Sequence, residues 1–218
     1  MFNESEETFV KKLFLGVYNP SIILTYIGVF CSIYGMTELL TSRDIIITKS
    51  LNIAMVMLVV AGVCDMFDGT IARMCKRTEK EKAFGIQLDS LADTVSFVVF
   101  PATMLVFMTG YNIASIIIAC FYVFAGIMRL GWFNVTTEEN KGFYMGLPVT
   151  FAALIFPALY LILRFIDCGF ETIIIQIVFS IVALLFILNF KVKKVKVSFL
   201  ILMLILSVVV IAGLILLI

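Results

Sequence analysis

Asp65, Asp68, Asp89 and Asp93 all fall within one stretch, DMFDGTIARMCKRTEKEKAFGIQLDSLAD, with long apolar runs on either side. The chain has no histidine, which excludes imidazole acid–base chemistry and histidine metal ligation. Asp65 and Asp68 are three apart and Asp89 and Asp93 are four apart, so each pair shares one face of a helix. Gly69 and Ala72 share the first stripe, and Gly85 precedes Asp89 by one turn on the second. Four ionised carboxylates carry a charge of about −4. Arg73 can offset one of them; two divalent cations offset all four. Oxygen ligands without histidine or paired cysteines point to Mg²⁺, Mn²⁺ or Ca²⁺ rather than zinc. Two such ions about 4 Å apart are a common device for phosphoryl displacement. Gly69, Ala72 and Gly85 clear space on the same stripes, which suits a phosphate-bearing ligand beside the ions. Close helix packing is the competing use of small residues.

The elements that must position these acids are membrane helices. Of the 218 residues 62% are hydrophobic, 14% are charged and 21 are Phe, far from a soluble composition. A span needs ~20 mostly apolar residues, and seven segments qualify: 20–40, 45–64, 86–108, 112–133, 147–165, 171–190 and 197–218. The joints are too short for a soluble domain. The opening MFNESEETFVKK lacks the pattern of a signal peptide. Phe9, Val10, Leu13, Phe14 and Val17 share a helical face, so residues 3–18 are expected to form an interfacial amphipathic helix. With the N-terminus inside, Lys11, Lys12, Lys76, Arg77, Lys80, Lys82, Lys141, Lys191, Lys193, Lys194 and Lys196 lie on the cytoplasmic side. Only Arg43, Lys49 and Arg164 lie outside, and Arg73 and Arg129 sit at inner helix ends. The acids then lie near the cytoplasmic edge of the cell membrane, with Asp93 about 12 Å deeper than Gly85. That depth suits a substrate with a lipid tail and a water-soluble head. Cys31, Cys64, Cys75, Cys120 and Cys168 are scattered, so neither a disulfide framework nor a zinc site is expected. A net charge of +1 gives no basis for a nucleic-acid partner.

The acid-bearing stretch resembles the signature of the CDP-alcohol phosphotransferases, D-x-x-D-G-x-x-A-R followed by G-x-x-x-D-x-x-x-D. Asp65, Asp68, Gly69, Ala72, Arg73, Gly85, Asp89 and Asp93 fill every defined position. The gap between Arg73 and Gly85 is longer than is common in that family, and its extra residues fall in the charged loop CKRTEKEK, where insertion is tolerated. The resemblance implies a six-helix core (residues 20–190), preceded by the interfacial helix (1–19) and followed by a basic loop and an extra span (191–218). It also implies a homodimer, two divalent cations (Mg²⁺ or Mn²⁺) held by Asp65, Asp68, Asp89 and Asp93, a CDP-linked donor and release of CMP. By the same resemblance Asp93 is the base, and Asp68, Gly69, Ala72, Arg73 and Gly85 contact the CDP-lipid. NPSIILTYIG, LDSLADTVSFVVFPA, RLGWFNV and FYMGLPVT resemble the serine-using branch. Ser90 stands where glycerol-phosphate users more often carry Pro. The implied partners are CDP-diacylglycerol or an ether analogue, L-serine and the surrounding membrane lipid. The serine carboxylate calls for a cation, and Arg129, in RLGWFNV at an inner helix end, is the candidate. The competing expectations are another acceptor (inositol phosphate or glycerol phosphate), an intramembrane prenyltransferase and a divalent-cation transporter.

Overall fold

Among the described residues, seven helices stand at the seven apolar segments. The computed structural model describes residue 16 and residues 20–42, 47–136, 143–166, 169–193 and 197–217. The interfacial helix expected over residues 3–18 lies outside them, Gly16 apart. The helices are α1 (Ile23–Thr41, entered through a 3-10 turn at Pro20–Ile22), α2 (Ile47–Met74), α3 (Glu79–Met108), α4 (Ile113–Thr136), α5 (Ala152–Phe165, entered through a 3-10 turn at Val149–Phe151), α6 (Glu171–Ile187) and α7 (Val197–Leu216). The first four are long and apolar enough to cross a membrane, and the last three are shorter apolar helices. This is the all-α architecture of an integral membrane protein. Ile113, Ile117, Phe124, Met128 and Trp132 of α4 point outward, as a helix surrounded by lipid requires.

Two helices reach further toward the joint that links them than hydropathy alone indicates. α2 continues to Met74 rather than ending at residue 64, and the added turns carry Asp65 and Asp68. α3 begins at Glu79 rather than 86, because Thr78 caps it. The Glu81 amide donates to Thr78 Oγ1 at 3.3 Å, and the Thr78 amide donates to Glu81 Oε2 at 2.7 Å. This reciprocal capping box satisfies two otherwise orphaned donors and fixes where the helix of Asp89 and Asp93 starts.

Immediately after Asp93 the helix widens into a π turn, Thr94–Val99, before resuming as α-helix at Phe100. Such turns shift the facing of everything beyond them and occur often at functional sites. Neighbouring helices hold this one in place. Tyr122 of α4 donates its hydroxyl to the Phe97 carbonyl at 2.8 Å. Ser96 lies 2.8 Å from the Ser32 hydroxyl of α1. Ser96, Phe97 and Val98 are all buried.

α1 packs along α2, α4 along α6, and α7 against α2 and α5. Lipid is as apolar as the helices, so close van der Waals packing holds them together. Gly35 lies against the Phe100 ring, Gly62 against Ala153 and Gly126 against Val98. Phe156 of α5 and Phe179 of α6 stack with centroids 3.8 Å apart, and the Tyr122 ring meets both edge-on.

The run KVKKVK, read from sequence as a plain basic loop, contributes a short strand instead. β1 (Phe143–Met145) pairs antiparallel with β2 (Lys191–Lys193), tying together the joints that lead into α5 and α7. Gly146 follows β1 with φ +70°, and a Cβ there would sit 2.9 Å from the Phe186 carbonyl oxygen. Conformation and space therefore both demand glycine at this turn. The Gly146 amide donates to the Phe190 carbonyl at 2.8 Å and the Leu147 amide to that of Leu185 at 3.0 Å. Pro148–Thr150 are thereby held against the acid-bearing helices.

Candidate active site

α2 and α3 bring the four carboxylates together. Asp65 approaches Asp93, and Asp68 approaches Asp89. One carboxylate oxygen from each of Asp65, Asp89 and Asp93 lies within 4.8 Å of the other two. Oxygens bound to a common Mg²⁺ or Ca²⁺ sit about 2.0–2.6 Å from it, and so at most about 4–5 Å apart. The trio therefore fits one hard cation. Asp68 is buried beside it and accepts a hydrogen bond from Thr25 Oγ1 of α1 at 3.2 Å. Four carboxylates held this close in a low-dielectric setting repel one another strongly. An all-oxygen donor set of this charge fits divalent cations of the Mg²⁺ class.

The carboxylates open into a cavity of about 570 Å³ between α2, α3, α4, the turn into α5, and α7. That is within the usual range for small-molecule sites. Asp65, Asp68, Asp89, Asp93, Gly69, Arg73 and Arg129 line it; Ala72 and Gly85 do not. At Gly69 a Cβ would meet nothing within 4 Å, unlike Gly35, Gly62 and Gly126, which each abut a neighbouring side chain. Gly69 is therefore not a packing glycine. At Gly85 a Cβ would lie 3.4 Å from a guanidinium nitrogen of Arg77. Arg73 is exposed and donates to Thr70 Oγ1 at 3.1 Å. Arg129 is buried, with its guanidinium 5.3 Å from the centre of the Phe133 ring, a cation–π distance.

Sequence reasoning missed several residues here. Thr25 is one of several hydroxyl residues in an apolar run, and only the fold reveals that it faces Asp68. Ser90 Oγ donates to Asn134 Oδ1 at 2.9 Å, clasping α3 to α4 beside Asp89. Asn134 lies in the quoted RLGWFNV stretch, so a polar residue so near Arg129 was a usable signal. Leu200, Met203 and Ser207 also line the cavity, and nothing in the uniform hydropathy of α7 marks them.

A family model described as CDP-alcohol phosphatidyltransferase matches residues 18–218. Among curated proteins, the chain is similar to a CDP-diacylglycerol–serine O-phosphatidyltransferase of Helicobacter pylori, 38% identical over 45% of this chain and 42% of the relative. It is also similar to an archaetidylserine synthase of Methanothermobacter thermautotrophicus, 35% identical over 58% of this chain and 52% of the relative. A CDP-diacylglycerol–serine O-phosphatidyltransferase of Saccharomyces cerevisiae is 36% identical over 42% of this chain and 35% of the relative. The chain thus spans about half or less of the length of these relatives.

Proposed function

Because the chain belongs to the CDP-alcohol phosphatidyltransferase family, we propose that it transfers the phosphatidyl, or ether-linked archaetidyl, group of a CDP-linked lipid to the hydroxyl of L-serine, releasing CMP. The observation that carries this reading is the convergence of four carboxylates on one cavity beside the open backbone of Gly69. The relatives named for serine transfer support the choice of acceptor.

Asp65, Asp68, Asp89 and Asp93 would hold two divalent cations, Mg²⁺ or Mn²⁺. When bound, such ions offset the charge of a diphosphate and of the departing CMP and make an alcohol easier to deprotonate. Thr25 fixes the orientation of Asp68. Asp93 accepts the proton of the serine hydroxyl as the serine oxygen bonds to the lipid-linked phosphorus. The bond from that phosphorus to the CMP oxygen breaks, and its electron pair leaves on CMP. Gly69 leaves room for the nucleotide, with Ala72 and Gly85 relieving crowding on the same stripes, and Arg73 pairs with a donor phosphate. Arg129 pairs with the serine carboxylate. The excess of Lys and Arg on this side supports a cytoplasm-facing site in the cell membrane, and the family resemblance supports a homodimer.

The reaction read in reverse provides a test. Purified protein given the serine lipid and CMP should regenerate a CDP-linked lipid and free serine. A prenyltransferase or a cation transporter would not, and absence of CMP-dependent reversal overturns the reading.

Gly69→Val is expected to weaken CDP-lipid binding at least about fivefold, since the cost of overpacking, ~1–3 kcal/mol, falls on the ligand. The unfolding midpoint should stay near that of the parent, because no protein atom occupies that space. Normal CDP-lipid affinity in this variant would show that the nucleotide lies elsewhere.

Arg129→Ala is expected to raise the KM for serine about ten- to a hundredfold, the loss of a charge-assisted hydrogen bond. CDP-lipid affinity should change little. Equal losses on both substrates would assign Arg129 to the donor or to the fold.

A further inference from the structure

α7 carries none of the motif residues, yet it forms one wall of the cavity that holds the aspartates. Met203, Ser207, Val210 and Leu214 recur at helical spacing and form a single stripe. The outer half of that stripe is packed: Val210 and Leu214 are buried, and a Cβ on Gly213 would lie 3.2 Å from Leu161 of α5. The inner half faces the cavity instead, where Leu200, Met203 and Ser207 form part of the lining. The Ser207 hydroxyl donates to the Met203 carbonyl at 2.9 Å, so its proton is already engaged within the helix. Val59 and Val63 of α2 and Leu154 of α5 are among the other apolar residues of the lining.

One cavity is therefore lined by two chemically distinct sets of side chains. Carboxylates and arginines make the first, and apolar side chains, those of Leu200 and Met203 of α7 among them, make the second. The β1–β2 pairing holds the start of α7 on the same side as the turn that leads into α5.

We propose that α7 is the wall against which a hydrocarbon chain of the CDP-linked lipid lies, with Met203 and Ser207 setting the room available beside the glycerol backbone. This inference rests on the function proposed above. An amphiphile with an anionic nucleotide head and an apolar chain matches both sets of side chains in this one cavity. Bilayer tails are as apolar as the helix, so the wall gains little by withdrawing a chain from lipid. It selects by shape, and the small side chain at position 207 provides the space.

The test compares a tailed and a tail-less ligand on full-length protein in nanodiscs with Mg²⁺ present: CDP-diacylglycerol and CMP. Ser207→Phe is expected to raise the Kd for CDP-diacylglycerol about tenfold or more and to leave that for CMP within about twofold. Val208→Phe, on the outward face of α7, leaves both unchanged. Thermal unfolding reports whether each variant is folded. Should Ser207→Phe fail to fold, Met203→Ala must shift the CDP-diacylglycerol affinity alone. Equal shifts for both ligands overturn the inference and assign this wall to the nucleotide; no shift for CDP-diacylglycerol overturns it and assigns the wall to ordinary bilayer lipid. Parent protein that binds neither ligand overturns the proposed function itself, an outcome separate from any pattern among the variants.

Discussion

Asp93→Asn is expected to bind CDP-lipid nearly as the parent protein does and to turn over at least ~10²-fold more slowly, since general-base assistance is typically worth about 10²–10⁴ in rate. Asparagine keeps the shape of the side chain and one ligand oxygen but cannot accept the serine proton. The position supports the role: Asp93 lies at the deep end of the acidic stripe, faces Asp65, and is followed at once by the π turn that Tyr122 and Ser32 hold in place. The loss belongs in kcat rather than in donor affinity. Donor binding and serine turnover should be measured on one preparation. Near-normal turnover removes Asp93 from the chemistry, and a binding loss equal to the rate loss makes it a ligand alone.

Removal of divalent cations is expected to abolish turnover, with Mg²⁺ or Mn²⁺ restoring it. The same removal should lower the unfolding midpoint, because the facing carboxylates of α2 and α3 then repel without compensation. A cation at about 100 times its Kd stabilises a folded protein by ~2.7 kcal/mol. Asp89→Ala, which breaks the oxygen trio, should lose most of that cation-dependent stabilisation along with activity. Full activity under chelation, or an unfolding midpoint indifferent to Mg²⁺ in the parent, would contradict the assignment of these carboxylates.

The sequence revealed the helices because each is a run of apolar residues with a polar joint. It revealed the carboxylate cluster because charge is rare in such a chain and the three- and four-residue spacings survive folding unchanged. What stayed hidden depends on contacts between distant segments. Hydropathy alone ended α2 at residue 64, but the spacing of Asp65, Asp68, Gly69 and Ala72 already placed them on one helical stripe, and in the fold the helix runs on to Met74. The Thr78–Glu81 capping box was a legible local signal for the early start of α3 that hydropathy does not weigh. The π turn has no sequence mark of its own and is held by partners on α1 and α4. Thr25, Asn134 and the inner half of α7 are far in sequence from Asp65 and Asp93, and only tertiary packing makes them neighbours of the aspartates. Ala72 and Gly85 satisfy the motif yet fall outside the cavity lining, because a motif records a helical stripe and not the distance from it to the ligand.

Serine-dependent transfer from a CDP-linked lipid can be measured by supplying purified protein with CDP-diacylglycerol, Mg²⁺ and, in separate reactions, L-serine, inositol phosphate and glycerol phosphate, and by quantifying CMP and the lipid product together. CMP and the serine lipid are expected in equal amounts with L-serine, and neither product in the other two reactions. CMP release with inositol phosphate or glycerol phosphate but not with serine would contradict serine-dependent transfer.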